Sequence, residues 1–142
     1  MSGITVGIDG SDHSVRALEW AANEAAVRHA PLTVLTVHLA PQSGWTGNPI
    51  TVPQDSEEAE KERQAAEEMT LKVTSQLGEA RPASVTVRAV IGFPVQTLIE
   101  ASREADLMVV GSRGAGGFAK LVAGSVSSQV VHHAHCPVVV VR

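Results

Sequence analysis

Five short runs dominate the chain: ITVGID (4–9), LTVLTVHL (32–39), SVTVRAVI (84–91), DLMVVGS (106–112) and CPVVVVR (136–142). They are rich in Val, Ile and Leu, and several are apolar at successive positions rather than at every second one. Such strands are buried on both faces, the pattern of a parallel sheet covered by helices on each side. Parallel neighbours need a long crossover, usually a helix, between consecutive strands. Helical stretches do separate these runs, so the chain reads as α/β with right-handed crossovers. No internal repeat and no second compositional block interrupts it, and residues 1–142 are read as one domain.

The helical stretches carry their own signals. After the first strand, Val15, Leu18, Ala22 and Ala25 recur at three- and four-residue spacing, one apolar helix face. Ser11 or Asp12 is expected to cap it, and Pro31 to end it. A second helix is expected over 55–77, with Asp55 and Glu58 as a capping box. Ala66, Met69, Val73 and Leu77 form its buried face, its many charges are read as a solvated face, and Gly78 is expected to close it. Pro94 suits the first turn of a third helix, 94–104, and a last helix is expected from about Ser125 to Ala134. Residues 40–54, with Pro41, Pro49 and Pro53, form a long irregular connection, a kind of segment that is usually functional or disordered.

Composition excludes several classes. Hydrophobic residues make up 44% but aromatics only 3%, so the core must be built from Val, Ala, Leu and Ile. The net charge of -4 leaves no basic footprint for nucleic acid. One cysteine, Cys136, rules out a disulfide framework and a multi-thiolate metal site. No apolar run approaches the ~20 residues that span a bilayer, and the opening MSGITVGIDG lacks the basic and apolar regions of a signal peptide. A soluble cytoplasmic protein without nucleic acid or membrane partners is expected.

The densest chemical signal is VVGSRGAGGFAKLVAGSVSSQVV (109–131), which contains Gly111, Gly114, Gly116, Gly117 and Gly124. In parallel sheets ligands bind outside the carboxyl ends of the strands, where strand order reverses. The end of the first strand (GIDGSD) and the end of the fourth (VGSRGAGG) suit that position. Gly111 and Gly114 allow backbone N–H groups to converge on an anion. Gly124 permits close approach, and Ser125 at the next helix start offers a hydroxyl and free N–H groups to phosphate. Arg113 can add a guanidinium contact. Asp9, acceptor-only when ionised, suits a ribose hydroxyl, an adenine amino group or a metal ion carried on the phosphates. The same glycines equally suit a plain strand-to-helix turn packed tightly on a neighbour. The P-loop pattern is absent, and the dinucleotide fingerprint fails because no acidic residue follows the segment.

The stretch VVGSRGAGGFAKLVAGSVSSQVVHHAHCPVVVVR resembles the C-terminal signature of the universal stress protein family, in its ATP-binding, UspA-like branch. That branch carries G-x-x-G, nine residues, then G-[ST]; here the pattern is Gly111, Gly114, the nine residues Ala115 to Ala123, then Gly124 and Ser125. The opening VGIDGSDHSVRALEWA is similar to the family's first strand and helix. The resemblance implies a Rossmann-like, adenine nucleotide alpha hydrolase-like domain with five parallel strands in order 3-2-1-4-5. It implies that Asp9 contacts the nucleoside, Gly10 shapes its turn, and backbone near Leu39 reads the adenine edge. It further implies that Val110 and Gly111 lie against ribose and phosphate, that Arg113 and Gly114 line the phosphates, and that Gly124, Ser125 and Val126 hold them at the helix start. The implied ligand is ATP with Mg²⁺, with Asp9 toward the nucleotide-bound ion and no metal site of the protein's own. The implied role is a nucleotide-dependent stress-response regulator with an unidentified protein partner and no dedicated catalytic residue. A slow ATPase or phosphoryl-transfer enzyme, a nucleotide-free interaction module and cyclic AMP as ligand are the alternatives.

His132, His135 and Cys136 in HHAHC carry ligand chemistry, but they end a helix and enter a buried strand, which favours a structural role over zinc. The final Val-rich run has no strand after it, so a sheet edge there is an aggregation hazard unless covered. Pairing of 137–141 with a second copy, giving a two-fold homodimer, would cover it. Trp20 is expected to be half-buried, Trp45 to flank the adenine or cap a hydrophobic patch, and His13, near Asp9, to be an exposed first-turn residue, with contact to a phosphate as the alternative.

Overall fold

A computed structural model of the chain describes residues 3–39, 57–112 and 125–142, with Ser125 described in its backbone only. The elements run β1 (Ile4–Ile8), α1 (Asp12–Arg28), β2 (Pro31–Leu39), α2 (Glu57–Thr74), β3 (Ser84–Gly92), α3 (Pro94–Ala101), β4 (Leu107–Gly111), α4 (Ser125–His133) and β5 (Val138–Val141). The strands form one sheet of five in order β3-β2-β1-β4-β5, every pairing parallel. β1 is central, and the strand order reverses beside it.

Two apolar layers sandwich this sheet. On one face α1 and α2 close over Ile4, Val6, Ile8, Leu32, Val34, Leu107 and Val109. On the other, α3 and α4 cover Leu35, Met108 and Val110, with Leu98 and Val130 as the main helical contributors. Alternate residues of β2 and β4 therefore serve opposite layers, as a doubly covered sheet demands. α1 makes its approach with small side chains: Ala17, Ala21, Ala22 and Ala25 are fully buried, with Leu18 between them. With few aromatics available, close helix-to-sheet contact replaces bulk as the means of filling the core.

Local signals account for the helix ends. Ser11 is the N-cap of α1, and its Oγ accepts from the Ser14 amide at 3.2 Å. The C-terminal end is set by His29 rather than by Pro31: His29 is left-handed (φ 51), and its N–H returns to the Ala25 and Ala26 carbonyls. Pro31 instead opens β2. α2 stops at Thr74, so Gly78 lies beyond the helix and does not cap it. Its apolar face has Ala66 and Val73 buried and Met69 packed against the same core, while Leu77, expected on that face, packs there from beyond the helix end. α3 ends at Ala101 rather than at residue 104, because the Ser102 Oγ donates to the Ile99 carbonyl at 2.5 Å and its amide closes the last turn. Asp55, Trp45 and the 40–54 connection lie outside the described residues.

Candidate functional site

β1 pairs with β4 only from Ile4↔Leu107 to Val6↔Val109. Yet β1 continues beside β2 to Ile8↔Thr36, and β4 continues beside β5 to Gly111↔Val141. The two central strands thus part before either ends. A crevice opens at their carboxyl ends, between Ile8–Asp9 on one side and Gly111–Ser112 on the other. This is the topological switch point, the position where open parallel sheets bind ligands.

The β1 side of the crevice is a tight turn. Asp9 is half-buried, and its Oδ1 accepts from the Ser11 amide at 3.0 Å, an Asx turn leading into α1. Gly10 has φ 84, a conformation that suits glycine, and among the described residues no atom lies within 4 Å of the position its Cβ would occupy. The turn therefore presents open space next to a carboxylate and next to the N-terminal amides of α1. Leu39 stands at the last pairing of β2 with β3 (Leu39↔Gly92), past the end of β1 on the same edge of the sheet, with its side chain about half exposed.

The β4 side is set by close packing. A Cβ on Gly111 would lie 3.0 Å from the His13 carbonyl carbon and oxygen and 3.1 Å from its Cβ. This glycine is where α1 and β4 touch, so packing against a neighbouring helix explains it whatever else its N–H does. Val110 points its side chain into the α3–α4 layer, leaving only backbone to the crevice. Val126 likewise packs into that layer, in the first turn of α4, and Ser125 opens the helix. Arg113, Gly114 and Gly124 lie outside the described residues.

The structure brings forward three residues that the sequence reading passed over or placed elsewhere. His13 is half-buried, not exposed, and its Nδ1 lies 3.2 Å from the Ser112 Oγ, bridging the two sides of the crevice. The Ser112 amide donates to the Val141 carbonyl at 2.8 Å, and the Ser112 carbonyl accepts from the Ser127 Oγ at 3.4 Å. Ser112 thereby links β4, β5, α1 and α4. The position of His13 four residues after Asp9, and of Ser112 beside Gly111, was the available signal. A hydroxyl next to an imidazole has the first half of a nucleophile–base arrangement, but among the described residues no carboxylate orients the ring's Nε2.

Other chemistry lies apart from the crevice. A groove of ≈ 540 Å³ runs beside α3 under β2 and β3, lined by Leu35, Val90, Arg88, Gln96 and Glu100 among others. It lies along a strand face rather than at strand ends, and its Glu100 is already paired with Arg103 at 3.2 Å. On the exposed outer face of α2, the hydrogen bond from Arg63 holds the Glu60 carboxyl below the usual carboxylate range. Burial pushes the Cys136 thiol up, and its half-buried side chain packs against the α3–α4 layer. His132 and His135 are exposed, and the His135 amide donates to the Ser102 Oγ at 2.9 Å. Among the described residues no group of three or more His, Cys, Asp or Glu is placed to hold a metal ion, and no helix is long and apolar enough to cross a membrane.

Known proteins share this arrangement. The family model described as the universal stress protein family matches residues 1–142. A universal stress protein of Mycobacterium tuberculosis (strain ATCC 25618 / H37Rv) is 37% identical over 140 residues, covering 99% of this chain and 48% of that protein. The chain thus spans about half the length of the curated relatives it matches. Among solved structures, the universal stress protein UspA from Lactobacillus plantarum superposes with a TM-score of 0.76 at 27% identity, covering 99% of this chain and 97% of that one. A universal stress protein solved in complex with cAMP gives a TM-score of 0.68 at 27% identity, covering 99% and 95%. One from Archaeoglobus fulgidus, solved in complex with dAMP, gives 0.64 at 25% identity, covering 99% and 97%. The family model matches the full length and the solved structures share the fold, and the chain belongs to the universal stress protein family.

Proposed function

We propose that this protein binds an adenine nucleotide, ATP with Mg²⁺, in the crevice between the ends of β1 and β4, and works as a nucleotide-dependent regulator in the cytoplasm. The observation that carries the reading is the early parting of β1 and β4, with the Asp9 carboxylate and the open Gly10 turn on its rim. A carboxylate fits a ribose hydroxyl and also suits a cation brought in by the phosphates. Amides at the starts of α1 and α4 suit the phosphates themselves. Relatives solved with cAMP and with dAMP support adenine as the base. In this reading Gly111, Arg113, Gly114, Gly124, Ser125 and Val126 supply the phosphate contacts, and backbone near Leu39 and Val110 meets the base and ribose. Bound nucleotide would alter the surface offered to a protein partner, to the extent that it binds one state better than the other.

The same reading includes a homodimer through β5. That strand is a sheet edge in the described residues; Val140 within it is 40% exposed, and Val131 (49%) and Trp20 (36%) on the flanking helices are exposed too. Pairing with a second copy would remove the unpaired edge.

The test is direct. The protein is purified without added nucleotide and denatured, and released small molecules are identified by mass spectrometry, with Gly114→Val alongside. ATP or ADP at near one per chain, absent from the variant, is the expected result, and cyclic AMP in its place would reassign the ligand. An empty protein that also gives no heat on titration with ATP and Mg²⁺ would contradict the reading and favour a nucleotide-free interaction module.

A further inference from the structure

His13 is tied into the crevice from two directions. Its backbone lies against Gly111, where a Cβ would come within 3.0 Å of it, and its ring meets the Ser112 hydroxyl at 3.2 Å. Ser112 is in turn held by β5 and α4 through its amide and carbonyl, so its hydroxyl is the group left to respond to the ring. That hydroxyl has one hydrogen. When the ring is neutral with its proton on Nε2, Nδ1 is an acceptor, and the Ser112 O–H is used up in donating to it. When the ring is an imidazolium, Nδ1–H donates to the Ser112 Oγ instead. The hydroxyl hydrogen is then free to turn toward a bound anion, and a positive charge stands behind it.

We propose that His13 and Ser112 form one anion-contacting unit of the nucleotide site, with the Ser112 hydroxyl donating to a phosphate oxygen when the His13 ring is protonated. The inference rests on the nucleotide reading above and adds a contact and a proton linkage to it. Charged and titratable groups on the surrounding elements are Asp12 and Arg16 of α1, Asp9 at the end of β1, and Arg142 after β5, whose carbonyl accepts from the Arg16 Nε at 3.0 Å. β4 brings Ser112 and α4 brings Ser127 to this junction, both uncharged. The ordinary histidine range, about pH 5 to 8, sets the span over which the linkage is to be tested. Because the ligand favours the protonated ring, binding should strengthen as pH falls and weaken as it rises.

The experiment is a calorimetric titration of ADP, and of adenosine as the phosphate-free control, into the native chain, His13→Asn and Ser112→Ala. At about pH 5.5 the native chain should bind ADP roughly fivefold or more tighter than His13→Asn, the advantage vanishing by about pH 8.5. Comparison with the variant cancels the titration of ADP itself. Adenosine should show no such difference. Ser112→Ala should lose part of the advantage but keep its pH dependence, because the ring charge survives. Parallel ADP profiles in the native chain and His13→Asn, or an equal pH effect on adenosine, would overturn the proposal while leaving nucleotide binding intact. No ADP binding to the native chain at any pH would overturn both. Should His13→Asn fail to fold, proton NMR of the native His13 ring serves instead: its apparent pKa must rise on adding ADP, and an unmoved titration would sink the idea.

Discussion

One helix faces two different tasks in α1. Its body is an alanine surface against the sheet, with Ala17, Ala21, Ala22 and Ala25 fully buried. Its first turn is polar and half-buried, with Ser11 capping, Asp9 bracing the entry and His13 reaching across to Ser112. The body is specified by volume and tolerates little change in size. The first turn is specified by hydrogen-bond direction and leaves space, as the open Gly10 position demonstrates. Substitutions in the body should therefore change stability and leave the affinity of folded molecules alone. Those in the first turn should act mainly on affinity, with the cap residue Ser11 as the exception.

The largest effect that would sharpen this contrast is in the body. Leu18→Ala removes a fully buried side chain and should cost about 2–5 kcal/mol in urea unfolding, with nucleotide affinity of the folded fraction unchanged. An affinity loss of similar size would break the separation. Gly111→Ala sits on the boundary between the two tasks. Its new Cβ meets His13 backbone at 3.0 Å, so something in α1 or β4 must shift, at a cost of about 1–3 kcal/mol. Because the shift falls on His13, binding should weaken as well, and Gly111 alone should affect both readouts strongly. Ser11→Ala removes the N-cap acceptor and should cost about 1 kcal/mol, recovered by Ser11→Asp, which can accept the same bond.

A smaller effect concerns Cys136, on the layer opposite α1. Burial raises its thiol pKa, so the nucleophilic thiolate is scarcer at a given pH than in an unfolded chain. Alkylation by iodoacetamide should be slower in the native protein than in urea near pH 8, and should accelerate with pH beyond the range of an ordinary cysteine. Native and unfolded rates that match across that range would mean the side chain is not shielded by the α3–α4 layer.

The same contrast explains what could be read in advance. The strands, their parallel pairing and the buried face of α2 follow from apolar runs and three-to-four spacing, both of which are local. The reversal of strand order beside β1 came with the family likeness rather than with any single stretch. His29 as the left-handed end of α1 was hidden because a residue other than glycine occupies that conformation. Within the site, Asp9 and Gly10 were legible as a turn after a strand. The contact between His13 and Ser112 was not, because the two residues are 99 positions apart. Gly111 was legible as a glycine with a purpose, but the sequence could not say whether a ligand or a helix required it. The helix is now certain, since His13 fills the space a side chain would need.

The measurement that bears most directly on the central claim is a map of backbone amide NMR shifts as ATP and Mg²⁺ are added to the native chain. The account predicts that Asp9, Gly10, Ser11, Gly111 and Ser112 move together and saturate at one equivalent, while Ala21 and Ala22 in the body of α1 stay still. Shifts gathered instead around Arg88, Gln96 and Glu100 would put the ligand in the groove beside α3, and with no shifts anywhere the crevice would hold no nucleotide at all; either result contradicts the account.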